Sequence, residues 1–526
     1  MSPFLLSLLA LGLGFDIPAK QEADTLVLCP VEFQPALKPW VEYRQQQGYR
    51  IKVMHPAKTS YGIRLQVRKE AASGMLKNLV IVGDASDQRS DASHLVPTDY
   101  VKAQVNVKFG SEPEISSDNT YADLNSDGIP DLTLGRMPVD SSSELEQFIQ
   151  RIKQYESQVS SGPWMRRMNF VAGVGGFGTL VDKMIEQSTK QIITDLIPPA
   201  YETSMTYGSW SSPYCPNPRR FSETTVDRFN EGCLFWCYIG HGNKRRLDRV
   251  MLPDGRCDIL DCDSARFLNA QHGSPIAIFL ACYTGAIDGP DDCLSEEMLR
   301  QPHGPIAIVS SSRVAMPYGM AVLSLEMLDG YFQGDVTTLG ELLLQSKQKL
   351  VAEQSEPNRY RKLVESMGRA FMPEPGLLKE ERKEHVHLMH LLGDPLLRLK
   401  KPVKMVLDSS DRVQAGDSLV VRGDSPLGGT MTVDICYKRD RFRNRPARRR
   451  EYDSSDQAFA QYDVVYRETH QLTCCAKQFV IEPGEFEIKI DVPADASGEC
   501  FVRGMVESGS GFALGARPLY IDPRED

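Results

Sequence analysis

The sequence predicts an α/β protein with a parallel sheet in two subdomains, followed by a small C-terminal β-sandwich. From about residue 25 to residue 400, short apolar runs alternate with amphipathic helical patterns, which is typical of βαβ units. After Lys401 and Pro402 the pattern changes to alternating polar and apolar residues separated by Gly, Pro and Asp turns. That change indicates an antiparallel sandwich rather than a continuation of the α/β domain.

The first predicted subdomain covers residues 21–165. Its apolar runs are short enough to be buried strands, and a helical pattern from Gln34 to Gln47 ends at Gly48. A second helix is predicted from about Ser142 to Gln158. The predicted strands are Thr25–Cys29, Ile51–Met54, Asn78–Asp84 and Leu132–Val139.

The second predicted subdomain covers residues 166–401. It opens on a strand at Met168–Val174, a Gly-rich turn and a helix over about 180–196. The runs Cys233–Gly240 and Pro275–Ala281 are too apolar for an exposed sheet, so both are expected to be central strands.

The third predicted domain, residues 402–526, is the sandwich. Its clearest strands are Ser418–Arg422, Thr430–Ile435 and Glu485–Asp491. A basic run over residues 438–450 interrupts them. We expect this run to be a solvated loop, the alternative being a contact with an anionic partner.

Composition excludes some classes of function. The 526 residues carry a formal net charge of −10, which argues against nucleic-acid binding because phosphate-binding surfaces need excess Lys and Arg. Residues 1–20 hold an apolar run of signal-peptide length, although no Lys or Arg precedes it, so a buried first segment is the alternative. No later stretch predicts a transmembrane helix. We therefore expect a secreted or periplasmic protein that needs no organic cofactor.

Two candidate reactive residues follow the two central strands. Cys233–Gly240 leads directly into His241 and Gly242, and Pro275–Ala281 leads into Cys282. Because ligands bind beyond the carboxyl ends of parallel strands, His241 and Cys282 are expected to face each other across one crevice. Thiol catalysis needs that pair, a thiolate to attack and an imidazole to transfer protons. The N–H groups of Gly242 and Cys282 are candidates for an oxyanion hole. The alternative is that His241 and Cys282 are simply buried residues at the ends of their strands.

These residues resemble the paired signature of the clan CD cysteine peptidases, which include caspases, legumains and gingipains. Further stretches resemble the gingipains in particular, namely Gly135-Arg136, Cys293–Met298, Gly304–Ser311 and Leu392–Leu397. The resemblance implies a caspase-type fold with an immunoglobulin-like C-terminal module. It also implies an endopeptidase that acts on protein or peptide substrates.

The resemblance has departures and one implied specificity residue. Gingipains carry an acid that orients the histidine where this chain has Val174, and Lys244–Leu247 lacks their Thr/Ala-Trp run. The loop joining His241 to Cys282 is also longer than usual. Asp182 is similar to the gingipain acid that selects Arg or Lys, which implies cleavage after basic P1 residues. The alternative is that Asp182 is simply a first-turn acid favoured by the helix dipole.

A second site is predicted in the first subdomain. The segment Asp123–Asp131 places oxygen-bearing side chains at alternate positions around Gly128, as a Ca²⁺-binding loop does. It lacks the distal Glu of an EF-hand, and an Asx-rich turn is the alternative. The expected structural calcium ligands are Asp123, Asn125, Asp127 and Asp131.

Two other functions remain open at the level of sequence. A sortase-like transpeptidase of the same family would use the same Cys282 and His241, and only its products would distinguish it from a hydrolase. A caspase-like scaffold that binds peptides without cleaving them is favoured by Val174 and opposed by the intact pair.

Overall fold

The structure is a computed structural model that describes residues 22–524 except 86–93, 158–161, 177, 355, 373, 440 and 444. The predicted signal peptide at residues 1–20 lies outside the described residues. Within the described part of the chain, none of the helices combines the length and the apolar character needed to cross a bilayer.

A single ten-stranded sheet runs through both predicted subdomains. In sheet order its strands are β2-β1-β3-β4-β10-β9-β8-β7-β5-β6, and every pair is parallel except the antiparallel pair β9–β10. The strands are β1 Thr25–Leu28, β2 Ile51–Met54, β3 Asn78–Val82, β4 Thr133–Met137, β5 Arg167–Ala172, β6 Glu202–Tyr207, β7 Phe235–Ile239, β8 Ile276–Leu280, β9 Ala307–Ser311 and β10 Met389–Leu392.

Helices cover both faces of this sheet, as the apolar composition of its central strands requires. They are α1 Gln34–Gln46, α2 Ser60–Ala71, α3 Ser142–Ser157, α4 Thr179–Leu196, α5 Phe221–Asn230, α6 Leu294–Arg300, α7 Pro317–Phe332, α8 Leu339–Val351, α9 Arg359–Phe371 and α10 Leu378–Leu388. The long connection between β7 and β8 holds two short antiparallel hairpins, formed by residues 242–247 and 249–258.

The two halves of the sheet are joined where β10 returns beside β4. Directly after β10, the buried carboxylate of Asp394 lies 2.6 Å from Nη2 of Arg44 on α1. Trp40 of the same helix donates its indole N–H to the same carboxylate oxygen at 2.5 Å. The Gly-Asp-Pro segment therefore anchors the first subdomain to the second.

The C-terminal domain is the predicted sandwich. Its larger sheet has the order β11-β19-β18-β15-β16, with β13 also pairing with β19, and its smaller sheet is β12-β14-β17. The apolar faces of both sheets enclose one core. The strands are β11 Val403–Lys404, β12 Val406–Ser409, β13 Arg412–Gln414, β14 Ser418–Ser425, β15 Gly429–Tyr437, β16 Thr473–Ile481, β17 Gly484–Asp491, β18 Gly498–Ser508 and β19 Gly511–Asp522.

Much of the described basic segment between β15 and β16 is exposed, as its composition predicts, but Arg439 within it is held by the backbone of the second subdomain. Nη2 of Arg439 donates to the carbonyl oxygens of Pro198 and Tyr201 at 2.8 and 2.7 Å. The helix α11, Asp456–His470, follows the segment, and its Tyr466 hydroxyl lies 2.7 Å from Oγ1 of Thr206 on edge strand β6. The insert thus fastens the sandwich to the edge of the large sheet.

Candidate active site

The two predicted reactive residues lie side by side at the carboxyl edge of the sheet. Strands β7 and β8 are parallel neighbours in which Ile239 pairs with Leu280, so His241 and Cys282 each stand two residues beyond a paired position. His241 is exposed and Cys282 is half-buried. Both side chains line one cavity of about 560 Å³.

Close packing of the two strand ends requires glycine at position 242. A Cβ atom on Gly242 would lie 2.6 Å from the carbonyl oxygen of Cys282 and 2.9 Å from Cβ of Ala281. The turn is also fixed from below, because the buried Tyr238 donates its hydroxyl to the His241 carbonyl at 2.8 Å. Gly242 therefore lets the histidine loop lie directly against the nucleophile's backbone.

A backbone carbonyl orients the histidine where the family resemblance leads one to expect an acid. Nε2 of His241 lies 2.5 Å from the carbonyl oxygen of Gly175, one residue after Val174. Because a carbonyl can only accept, Nε2 must carry the proton, and in the neutral ring Nδ1 is left as the acceptor. The Gly-rich turn comes close enough because Gly176 adopts a φ of +71°.

The thiol of Cys282 contacts the backbone of Ala315. The Ala315 N–H donates to Sγ at 3.4 Å, and Sγ in turn lies 3.6 Å from the Ala315 carbonyl oxygen. Burial raises the pKa of the Cys282 thiol above its usual value, and the Ala315 N–H lowers it by less. The thiol is therefore mainly neutral at pH 7, so attack on a carbonyl needs a base to take its proton.

Tyr283 is a feature of the site that sequence reasoning did not identify. It has a φ of +59°, which is uncommon for a residue with a side chain. Its N–H donates to the Arg313 carbonyl at 3.1 Å and its hydroxyl to Glu112 at 2.7 Å. These bonds hold the chain in the left-handed conformation directly after Cys282, and no residue type in the sequence signals it.

The cavity beside Cys282 is enclosed by one face of the sheet and by two helices. Alternate residues of β5, β7 and β8 form its floor, and the residues of α4 and α7 that line it recur at helical spacing. The floor residues are Met168, Phe170, Phe235, Cys237, Ile239, Ile278 and Leu280. The helix residues include Ile185, Thr189 and Ile192 of α4 and Met320, Ser324 and Met327 of α7.

Asp182 lies on the first turn of α4, as predicted, but not among the described residues that line this cavity. Burial raises the pKa of Tyr207 above its usual value, and the nearby negative charges of Glu186 and Asp182 raise it further. Both carboxylates therefore lie near the end of edge strand β6. The proposed role of Asp182 in substrate binding stays a prediction.

The predicted calcium loop is closed by its own side chains. Asp123 accepts backbone N–H groups of Ser126 and Gly128 at 2.7 and 2.9 Å, and Asp131 accepts that of Leu124 at 2.8 Å. Asn125 and Asp127 are joined by a hydrogen bond of 3.1 Å. The structure therefore gathers all four predicted ligands into one loop, and calcium binding there stays a prediction.

A second acidic group is formed by Asp84, Asp292 and Glu296. Carboxylate oxygens of Asp84, Asp292 and Glu296 all lie within 4.8 Å of one another, close enough to share a cation. Burial raises the pKa of Asp84, and burial together with the charge of Asp84 raises that of Glu296. Asp292 is also paired with Arg300, which supplies a positive charge to the group.

Comparison with known proteins gives the family. The model of peptidase family C25 matches residues 18–400 of this sequence. The chain belongs to peptidase family C25. The predicted gingipain-like resemblance is thereby confirmed.

Named relatives of this C25 chain are gingipains of Porphyromonas gingivalis. Gingipain R1 is 20% identical over 303 residues, which are 56% of this chain and 28% of that protein. Lys-gingipain is 23% identical over 302 residues, 55% of this chain and 15% of that protein. The chain therefore matches less than a third of the length of these relatives.

The same fold occurs in solved structures. The crystal structure of the Arg-specific cysteine proteinase gingipain R superposes with a TM-score of 0.53 at 15% identity, covering 96% of this chain and 99% of that one. The complex of the pro- and mature domains of Porphyromonas gingivalis RgpB gives 0.53 at 14% identity, covering 95% and 100%. The predicted α/β fold with a C-terminal β-sandwich is confirmed.

Proposed function

We propose that this chain is a cysteine endopeptidase in which Cys282 is the nucleophile and His241 the general acid and base. The observation that carries the proposal is that both side chains line one cavity at the carboxyl edge of adjacent parallel strands. Membership of peptidase family C25 supports cleavage of peptide bonds. Proteins or peptides are accordingly the proposed substrates.

The geometry supports a two-step mechanism. Nδ1 of His241 takes the thiol proton as Sγ of Cys282 bonds to the scissile carbonyl carbon, whose oxygen becomes an oxyanion. The imidazolium then gives that proton to the leaving amine as the C–N bond breaks, which leaves a thioester on Cys282. Water, deprotonated by His241, hydrolyses the thioester and regenerates the thiol.

Oxyanion stabilisation is assigned to the N–H groups of Gly242 and Cys282. The support is the contact of the Gly242 backbone with that of Cys282, which brings both amides to the same end of the cavity. One such donor typically contributes about 2.7–4 kcal/mol to the stability of the transition state.

The structure weighs against one of the two alternative functions, the non-catalytic scaffold, more than against the other, the transpeptidase. A non-catalytic scaffold was favoured by Val174, but the Gly175 carbonyl supplies the acceptor that an acid would have supplied. A transpeptidase uses the same thioester and differs only in the nucleophile that resolves it. Product analysis with an added amine separates hydrolysis from transfer.

Two finer predictions stay open. Cleavage after basic P1 residues is suggested by relatives whose names refer to Arg and Lys, whereas Asp182 is not among the described residues that line the cavity. A secreted or periplasmic location stays a prediction from the apolar N-terminal run.

The dyad is tested with Cys282→Ala and His241→Ala on an unfolded protein substrate such as reduced casein. Each variant should lower kcat/KM by about 10⁴-fold or more, because the nucleophile and the base act as one unit and removing either disables the mechanism. Cys257→Ala is the matched control, since this half-buried cysteine lies in a hairpin and does not line the cavity. Near wild-type turnover by either dyad variant would contradict the assignment.

A further inference from the structure

We propose that the cavity is the S1 pocket and that it selects a large apolar P1 side chain such as Leu, Met or Phe. This inference rests on the proposed peptidase function and specifies its substrate class. It differs from the Arg and Lys specificity that the names of the relatives carry.

The position of the cavity relative to Sγ decides which substrate residue enters it. The cavity is continuous with Cys282, and the residues two and four positions before Cys282 on β8 form part of its floor. In the thioester the P1 Cα is bonded directly to the carbonyl carbon that Sγ holds. The P1 side chain is therefore the substrate group closest to the opening.

The lining offers no partner for a basic side chain. None of the described residues that line the cavity is Asp, Glu, Lys or Arg, and most of their surface is aliphatic, aromatic or thioether. A guanidinium or ammonium placed there would lose its hydration without gaining a counter-ion. An apolar side chain loses nothing on entry and removes apolar surface from water on both sides.

The rim of the cavity adds a second obstacle to cationic substrates. Lys244 is exposed, and its Nζ lies 6.0 Å from the ring centroid of Tyr283, which lines the cavity. Arg245 and Arg246 follow it and are also exposed. Arg245 is offset by Glu297 at 3.7 Å, so Lys244 is the positive charge at the rim that disfavours the approach of a Lys or Arg side chain.

Methionines make the pocket adaptable in shape. Met316, Met320 and Met327 line it from the side of α7, and Met168 lines the floor. Because methionine is unbranched and polarizable, it repacks around guests of different shape. We therefore expect several large apolar residues to be accepted at P1, with small and charged residues used poorly.

The test is a peptide library that varies only P1, assayed as kcat/KM on the full chain. Leu, Met and Phe should exceed Ala by at least about tenfold, since one additional methylene in an apolar pocket typically gives about 10–200-fold discrimination. They should also exceed Lys, Arg and Asp. Equal use of all P1 residues, or a preference for Lys and Arg, would overturn the proposal.

A matched pair of variants links the preference to the cavity. Thr189→Phe fills the cavity from α4 and should lower the ratio of P1-Phe to P1-Ala cleavage by about tenfold. Gln187→Phe places the same side chain on the exposed face of α4, outside the lining, and should leave that ratio unchanged. If the wild type and both variants gave the same ratio of P1-Phe to P1-Ala cleavage, the P1 preference would not depend on this cavity and the assignment would be overturned.

A labelling measurement distinguishes failure of the pocket from failure of the enzyme. Peptidyl acyloxymethyl ketones with P1 Leu and P1 Lys are compared for their rate of alkylation, and the modified residue is mapped. Faster labelling of Cys282 by the Leu probe supports the pocket, and faster labelling by the Lys probe overturns the pocket while the proposed nucleophile stands. Absence of labelling at Cys282 by both probes contradicts both proposals.

Discussion

Backbone groups, rather than side chains, set up much of the candidate site. The Gly175 carbonyl accepts a hydrogen bond from Nε2 of His241, and the Ala315 N–H donates to the thiol of Cys282. Neither group depends strongly on the identity of its own side chain. The position held by an acid in the gingipains can therefore become Val174 without loss of an acceptor for the histidine.

The backbone contact at Gly242 predicts a strong effect from one methyl group. In Gly242→Ala the new Cβ would lie 2.6 Å from the Cys282 carbonyl oxygen, so the two strand ends must separate. Misplacement on this scale typically costs about 10²-fold in rate, and we expect that loss in kcat/KM.

Gly255→Ala is the control for this prediction. Gly255 lies in the hairpin after the histidine, and a Cβ there meets no atom within 4 Å. Its kcat/KM should stay near that of the wild type. Equal activity of the two variants, with similar Tm values, would show that the close contact at Gly242 has no catalytic consequence.

Residue types predicted the site only where chemistry depends on side chains. His241 and Cys282 could be placed because each follows an apolar run that must be a buried strand. The Gly175 acceptor and the left-handed Tyr283 could not, because backbone conformation there is imposed by packing. The helix that carries Asp182 was predicted correctly, and the role of Asp182 in substrate binding stays a prediction.

At the scale of elements, a strand could be predicted where its burial on both faces requires an unbroken run of apolar residues. Strands β3, β7 and β8 are apolar except for Asn78, and they differ from the predicted runs only at their ends. The insert before α11 is basic, and its composition predicts a solvated loop. Its Arg439 instead donates to carbonyl oxygens at the end of α4, a contact between segments far apart in sequence.

The Asp123–Asp131 loop predicts a stability change with calcium. Its carboxylate oxygens already accept backbone N–H groups but keep further lone pairs that can face a cation. Calcium at 100 times its Kd should stabilise the folded chain by about 2.7 kcal/mol and raise the Tm relative to chelator.

Two variants locate the calcium effect. Asp127→Ala should abolish the shift in Tm, whereas Glu296→Gln, in the separate carboxylate group with Asp84 and Asp292, should retain it. The reverse pattern would move the cation to that group. Identical melting curves in calcium and in chelator would contradict calcium binding at both groups.

At the scale of the whole molecule, the three predicted domains are less separate than the composition suggests. The first two share one continuous sheet through the pairing of β4 with β10. The sandwich contacts the second through the insert and through buried charges. The pattern of polar and apolar residues shows where one domain ends and the next begins. It does not show the contacts between domains, because those contacts use polar residues that are also typical of exposed surface.

The last prediction concerns the buried charges between the sandwich and the large sheet. Asp434 of β15 lies 2.8 Å from Nη2 of Arg166, which directly precedes β5, and 2.6 Å from Nε of Arg503 on β18. All three side chains are buried. Asp434→Ala leaves two buried guanidinium groups that share the partly exposed Glu202, so we expect a loss of about 3–5 kcal/mol in the free energy of unfolding. Glu487→Ala, which breaks the exposed pair with Arg422 within the sandwich, should cost less than about 1 kcal/mol. Calorimetry of both variants decides the point, and a drop in stability no larger for Asp434→Ala than for Glu487→Ala would show that this ionic contact does not hold the domains together.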